Sequence, residues 1–354
     1  MTFLLDWELT FKCNLDCDYC AGHDNSTKHP PLDRCKKSVD FMLAYTDLYM
    51  SKKAKGIRDV VINVYGGESL HHPDIVTILQ YIKERHADYQ ASWPLTVTCT
   101  TNAIVSSKKF EQIIPLVDEF TVSFHPQNSK KQHDQFKKNL LAIQKYGSRL
   151  KCIAMMHNKG ELFDLSVAMV QWCADHGIAC LPKQIDHPIT ATRFNYDNRQ
   201  IMFFEKLYNK RSYKSTVDLS RLDKETSVNM AAVGRSCCGG RQVCLDQDRS
   251  SRLSFVQNRF PNWFCSVNEF FLHVKQITEE IFVNKDCKMS FDGNVGPIGS
   301  LSNSQDLLDW TKHHLEKDSM PVIQCQKQAC FCGLCAPKAK HLDTYQSIMV
   351  KYRK

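Results

Sequence analysis

Three thiols near the start of the chain constrain it most: Cys13, Cys17 and Cys20, in the run Phe11-Lys12-Cys13-Asn14-Leu15-Asp16-Cys17-Asp18-Tyr19-Cys20. They are separated by three and then two residues, so one loop can turn all of them toward a single point. Three thiolates leave one corner of a four-iron, four-sulfur cube unligated, and that open iron can take a small molecule. Thiolate ligation suits iron–sulfur clusters and zinc alike. A zinc site completed by a ligand from elsewhere therefore stands beside the cluster at this point.

The pattern around the triplet is an alternation of strands and helices. Residues 3–12 alternate apolar and polar and read as a strand, so the cysteine loop follows a first strand directly. Strands are expected again at 59–65, 95–100, 119–125, 150–156 and 178–185. Helices are expected at 33–50, 74–86, 108–117, 130–146 and 161–176. The β-branched run Asp59–Tyr65 reads as a strand buried on both faces. Six such units argue a parallel sheet with right-handed crossovers, an α/β fold closing into a partial (β/α)6 TIM-like barrel. Sites on such sheets lie at the carboxyl ends of the strands. The cysteine loop, Gly66-Gly67-Glu68, Thr101-Asn102, Ser123 and Gln184 all fall there.

Cys-x3-Cys-x2-Cys, with Tyr19 before the third cysteine, resembles the signature of the radical S-adenosylmethionine (SAM) superfamily. The resemblance implies a [4Fe-4S] cluster held by Cys13, Cys17 and Cys20, with SAM on the open iron. Reductive cleavage of SAM then yields a 5′-deoxyadenosyl radical that abstracts hydrogen from a substrate. It further implies that Gly66, Gly67 and Glu68 line the methionine amino group, and that Asn102 and Ser123 lie near the ribose or carboxylate. Tyr19 lies against the adenine, and Gln184 joins the SAM contacts. His125 stands where relatives often carry an acid, a departure that touches the ribose contact. An external one-electron reductant of the flavodoxin or ferredoxin type is implied as well. Cys99, Cys152, Cys173 and Cys180 read as small core residues, since free cysteine is often buried.

Past residue 190 the texture changes. Nine of the 17 cysteines fall between Cys237 and Cys335: Cys237, Cys238, Cys244, Cys265, Cys287, Cys325, Cys330, Cys332 and Cys335. This region resembles the SPASM and twitch extensions of radical SAM enzymes, which implies one or two auxiliary [4Fe-4S] clusters with these residues as candidate ligands. Asp292–Pro297 resembles their hairpin turn. A zinc knuckle at the last four cysteines is the alternative. The expected organisation is a barrel over 1–190, a helical connection over 191–236, an auxiliary-cluster domain over 237–340 and a basic tail over 341–354.

An odd cysteine count on a chain without a secretory signal (Met1–Leu5 runs straight into Asp6 and Glu8) argues for metal ligation in a reducing cytoplasm rather than disulfides. No apolar run approaches the ~20 residues of a membrane span, so no membrane partner is expected. Lys and Arg exceed Asp and Glu by 46 − 38 = 8. Residues 206–214 interleave cations with aromatics, as do Arg249, Arg252 and Arg259 with Phe255, Phe260, Trp263 and Phe264. Cations beside stackable rings suit an unstacked nucleic acid. Similar enzymes act mostly on peptides, many through a leader-binding domain ahead of the cysteine loop, for which Cys13 leaves no room. The reading is a radical SAM isomerase or oxidoreductase with a macromolecular substrate. DNA is preferred, as in phage thymidine hypermodification, and a peptide maturase forming cross-links, epimers or oxidised residues is the alternative. A non-enzymatic zinc protein binding nucleic acid is the contrasting class.

Overall fold

The computed structural model describes residues 2–20, 24–53, 59–89, 93–185, 195–210, 262–284, 287, 289–326 and 338–353. Its frame is the expected alternation. Strand β1 (Thr2–Thr10) is followed by helix α1 (Leu32–Lys53), β2 (Asp59–Gly66), α2 (Ile75–Asp88), β3 (Leu95–Thr101), α3 (Ser107–Ile113), β4 (Glu119–Phe124), α4 (Lys130–Tyr146), β5 (Arg149–Met156), α5 (Gly160–Asp175) and β6 (Cys180–Gln184). Then come α6 (Asn198–Lys210), β7 (Phe264–Cys265), β8 (Phe271–Lys275), β9 (Glu280–Phe282), β10 (Gly299–Ser300), α7 (Ser304–Glu316), β11 (Ile323–Gln324), β12 (Lys338–Ala339) and α8 (Leu342–Arg353).

Strands β1 to β6 are parallel neighbours in chain order. The sheet does not stop at six. On the other side of β1, β8 adds in parallel, with Asp6 opposite His273, and β9 and β10 follow antiparallel. The result is a nine-stranded sheet in the order β10-β9-β8-β1-β2-β3-β4-β5-β6, open at both ends. Its first strand is therefore interior, and a segment more than 260 residues away supplies its second neighbour. Backbone bonds from Leu4 N–H to Phe270 O and from Gln276 N–H to Glu8 O bracket that pairing at 2.8 and 3.0 Å. The Trp7 indole donates to Gln276 Oε1 at 3.0 Å.

The period-two pattern of β1 explains its two faces. Phe3, Leu5, Trp7 and Leu9 have no exposed surface and point to the helical layer, where Phe3 meets Tyr45 and Tyr49 of α1. On α1 the buried positions Cys35, Val39, Met42, Leu43 and Thr46 follow the helical repeat. The other face of the sheet is polar. Asp6 Oδ1 accepts from Asn63 Nδ2 at 2.8 Å, and Asn63 Oδ1 accepts from the Thr98 and Thr100 hydroxyls, each at 3.2 Å. This corrects the reading of β2 as buried on both faces. Val60, Ile62 and Val64 are fully buried, whereas on the opposite face Val61 is buried but Asp59, Asn63 and Tyr65 are only partly so.

A second sheet, β11-β7-β12, is small and antiparallel. Between β9 and β10 of the main sheet, Met289 is bridged antiparallel to Val295, and the intervening residues close a tight turn with Gly293 at φ +83°. The tail forms α8, which buries Tyr345 and Met349 in the core. Among the described residues no helix is long and apolar enough to cross a membrane.

Candidate functional site

Because β1–β6 are parallel, their carboxyl ends form one rim, and each candidate residue named from the sequence in this half sits on it. The cysteine loop leaves β1 at Thr10. Cys17 is buried, Cys13 partly exposed and Cys20 exposed. Leu15, Cys17, Tyr19 and Ile185 pack together, with Cys13, Ile104 and Met155 against them. The residue just past β6 thus touches the loop just past β1, while Gln184 ends β6 opposite Met156.

The two glycines at the end of β2 seat this loop. A Cβ on Gly66 would lie 2.2 Å from Thr10 O, and one on Gly67 would lie 2.5 Å from both Phe11 O and Lys12 O. Gly66 also adopts φ +152°. With no side chains in the way, Gly67 N–H reaches Thr10 O at 2.7 Å and Glu68 N–H reaches Lys12 O at 2.8 Å. The backbone approach that glycine permits is spent on the cysteine loop itself.

Glu68 is buried and acts as a brace. Its Oε1 accepts from Leu70 N–H at 3.0 Å and from the Thr101 hydroxyl at 2.7 Å, and its Oε2 accepts from Asn102 N–H at 2.6 Å. Burial pushes its carboxyl above the ordinary range, against the lowering effect of these donors. Asn102 carries the brace onward. Its amide donates to Asn14 Oδ1 at 2.8 Å and lies 3.9 Å from Cys13 Sγ. Asn14 in turn donates to Ile104 O at 3.1 Å.

Ser123, Tyr19 and His125 meet at the end of β4. The imidazole lies 2.9 Å from Ser123 Oγ through Nε2, and 2.7 Å from the Tyr19 hydroxyl and 3.5 Å from Cys17 Sγ through Nδ1. Its ring stacks on Tyr19, 7° from coplanar. Burial lowers the His125 pKa to about 4, so the ring is neutral at neutral pH. The residue that departs from the usual acid thus holds both Ser123 and Tyr19.

Several contributors carry no sequence signal. His157, fully buried just past β5, faces Asp18 of the loop at 3.3 Å, and Lys159 pairs with the same carboxylate at 3.5 Å. Under the rim, His273 of β8 lies 2.9 Å from the Tyr65 hydroxyl and 3.6 Å from Glu8. Single histidines in strands look like core residues until the register is known.

The donor set fits a cluster. Desolvation by burial is the largest influence on Cys13 and Cys17, raising their thiols to about 11 and 12, and mutual repulsion with Cys20 adds to it. Against this, Leu15 N–H points at Cys13 Sγ at 3.4 Å, a donor that favours the thiolate. Ligands of a multi-iron cluster sit on different irons and lie farther apart than ligands of one ion. Among the described residues, the three-ligand group drawn within 4.8 Å lies elsewhere, at Cys152, Cys173 and Cys180.

Of the nine auxiliary candidates, Cys237, Cys238, Cys244, Cys330, Cys332 and Cys335 lie outside the described residues. Cys265 ends β7, and Cys325 follows β11 on the neighbouring strand, its N–H donating to Trp263 O at 3.0 Å. Cys287 is partly buried against the main core.

No protein-family model matches the chain, and no curated protein matches it. Solved structures do. Native anSMEcpe with bound AdoMet is 13% identical at a TM-score of 0.50, over 100% of this chain and 96% of that one. The same protein with AdoMet and Kp18Cys peptide is 12% identical at 0.51, over 99% and 97%. Streptococcus suis SuiB is 14% identical at 0.47, and the match covers 88% of this chain and 65% of SuiB, so the chain spans a little under two thirds of that protein. At such identities the likeness shows the fold alone, and the chain shares the fold of anSMEcpe.

Proposed function

We propose that this protein is a radical SAM enzyme, with Cys13, Cys17 and Cys20 holding a [4Fe-4S] cluster and with one or two auxiliary clusters in its C-terminal third. When bound, the cluster and SAM would supply a 5′-deoxyadenosyl radical, given one electron from a flavodoxin- or ferredoxin-type donor. The observation that carries the reading is the placement of the three thiols. They sit on one loop at the carboxyl rim of an open parallel sheet, with that loop seated on Gly66 and Gly67.

The chain's own residues have definable tasks in this reading. Gly67 and Glu68 hold the loop by two backbone bonds, and the Glu68 carboxylate ties the rim ends of β2 and β3. Asn102 keeps a donor beside Cys13 Sγ. His125 fixes the Tyr19 ring, the proposed adenine contact, and occupies Ser123, so any ribose contact by Ser123 is shared with the imidazole. Leu15, Ile104, Met155 and Ile185 form an apolar collar around Cys17, the buried thiol of the three.

For the substrate, two observations favour two macromolecules. anSMEcpe has been solved with AdoMet and Cp18Cys peptide, and a shared fold extends that to a peptide here. The net charge of +8 favours DNA, in the manner of an isomerase of base-linked amino acids. The peptide has the support of fold as well as chemistry. The cation–aromatic segments behind the DNA reading lie mostly outside the described residues.

Anoxic purification with iron and sulfide counting tests the core of the reading. A brown protein that forms 5′-deoxyadenosine from SAM under reduction is expected, with that activity lost and the iron count lowered by one cluster in C13A, C17A and C20A. Pale, iron-poor protein holding zinc at the triplet would sink it. DNA-cellulose retention with a steep salt dependence would select DNA, and indifference to DNA would select the peptide.

A further inference from the structure

The sequence reading placed Cys152, Cys173 and Cys180 in the core as separate small residues. In the fold they converge. Cys152 is on β5, Cys180 is its direct Cα partner on β6, and Cys173 comes from α5, the crossover between those strands. Their three sulfurs all lie within 4.8 Å of one another. We propose that they form a single-ion site for a thiophilic d10 cation, Zn2+ or Cu+, separate from any iron–sulfur cluster.

The geometry suits one ion. Zinc–thiolate bonds of about 2.3 Å place tetrahedral sulfurs about 3.8 Å apart, so closing the observed group needs a contraction of an ångström or less at each pair. Two other buried cysteines of this core have partners of another kind. Cys35 meets His72, and Cys99 meets Ser69. Here three meet from three elements. Cys152 and Cys173 have no exposed surface, while Cys180 is partly exposed, which gives an entry path and an open fourth position for water. Three thiolates on a divalent ion leave a net charge of −1. The ammonium of Lys137, 5.3 Å from the Trp172 ring, lies close enough to Cys173 to offset it.

The site is remote from the cysteine loop. Cys180 opens β6 and Gln184 closes it at the rim, a separation of about 13 Å along the strand. The ion would clamp α5 and β6 to β5 at the edge of the open sheet, where β6 has a single strand neighbour among the described residues.

The test uses the full chain, purified anoxically with its iron complement, and counts zinc, copper and iron per chain by elemental analysis. Wild type is compared with C173S and C180S, and with C99S as a buried-cysteine control. We expect wild type and C99S to hold about one zinc more than C173S and C180S, with iron unchanged in all four. If copper is the occupant, the same one-equivalent difference appears in copper after anoxic loading with Cu+. C180S, at the partly exposed position, serves if C173S fails to fold. Equal zinc and equal copper in wild type and C180S would overturn the proposal, as would a Cys152–Cys180 disulfide in peptide mapping of the native protein. Absence of iron from all four chains would instead count against the radical SAM reading and leave this site standing.

Discussion

At the residue scale the rim depends on contacts too close for any side chain. Gly67→Ala would place a methyl 2.5 Å from two carbonyl oxygens of the cysteine loop, both belonging to backbone that moves only as a whole. The loop must shift away and lose the Gly67 and Glu68 bonds to it. We expect G67A to retain its fold by circular dichroism yet lose the iron of the cluster at Cys13, Cys17 and Cys20, about four per chain. Wild-type iron content in G67A would show that the loop does not need this seat. His29 provides a titration at the same scale. Burial, and then repulsion from His72, lower its pKa from an ordinary 6.5 to about 4. A histidine with a depressed folded pKa is held neutral. Its contribution to stability is full above about 6.5 and is lost as pH falls toward about 4. In urea titrations the midpoint of wild type should drop more steeply between pH 6.5 and 4 than that of H29Q. Parallel profiles would refute the assignment.

At the scale of elements the sequence carries most of its own punctuation. Helix α4 starts at a capping box, in which Ser129 Oγ accepts from Gln132 N–H and Gln132 Oε1 accepts from Ser129 N–H at 2.9 Å. It ends at Gly147, in the left-handed region at φ +93°. Such a cap is worth about 1 kcal/mol. S129A should lower stability by that amount in equilibrium denaturation, because the box is exposed and its loss leaves the helix end without its side-chain partner. The expected helices and strands of the first half agree with those observed to within a few residues, since each is amphipathic with its own period. Residues 108–117 divide into α3 and a short 3-10 turn at Ile114–Leu116, where Pro115 cannot donate to a continuing helix.

For the whole molecule, the decisive feature is the second neighbour of β1. Cutting near residue 190 would follow the texture of the sequence, yet it would strip β8 from an interior strand and remove the partner of the Trp7 indole. An unpaired central edge invites association. We therefore expect a 1–210 fragment to be aggregated or unfolded where the full chain is monodisperse in size-exclusion chromatography. A well-folded fragment would show that the barrel half stands alone. Helix α7 packing on α1, and α8 burying Tyr345 and Met349, add to the same interdependence. The domain boundaries proposed from sequence therefore mark changes in composition across a shared core.

What the sequence determined by itself were the local things. The thiol spacing, the order and period of the first eleven elements and the strand-end position of every rim residue could all be read there, because each depends on neighbours a few places away. What tertiary structure decided were meetings between distant residues. It paired β8 with β1, turned His125 and His157 onto the cysteine loop, set Glu8, Tyr65 and His273 side by side, and gathered Cys152, Cys173 and Cys180 from two strands and a helix. A period of two or 3.6 residues tells which face a side chain takes. Which other side chains share that face is settled by strand order and register, and these follow from how the whole chain buries its apolar surface.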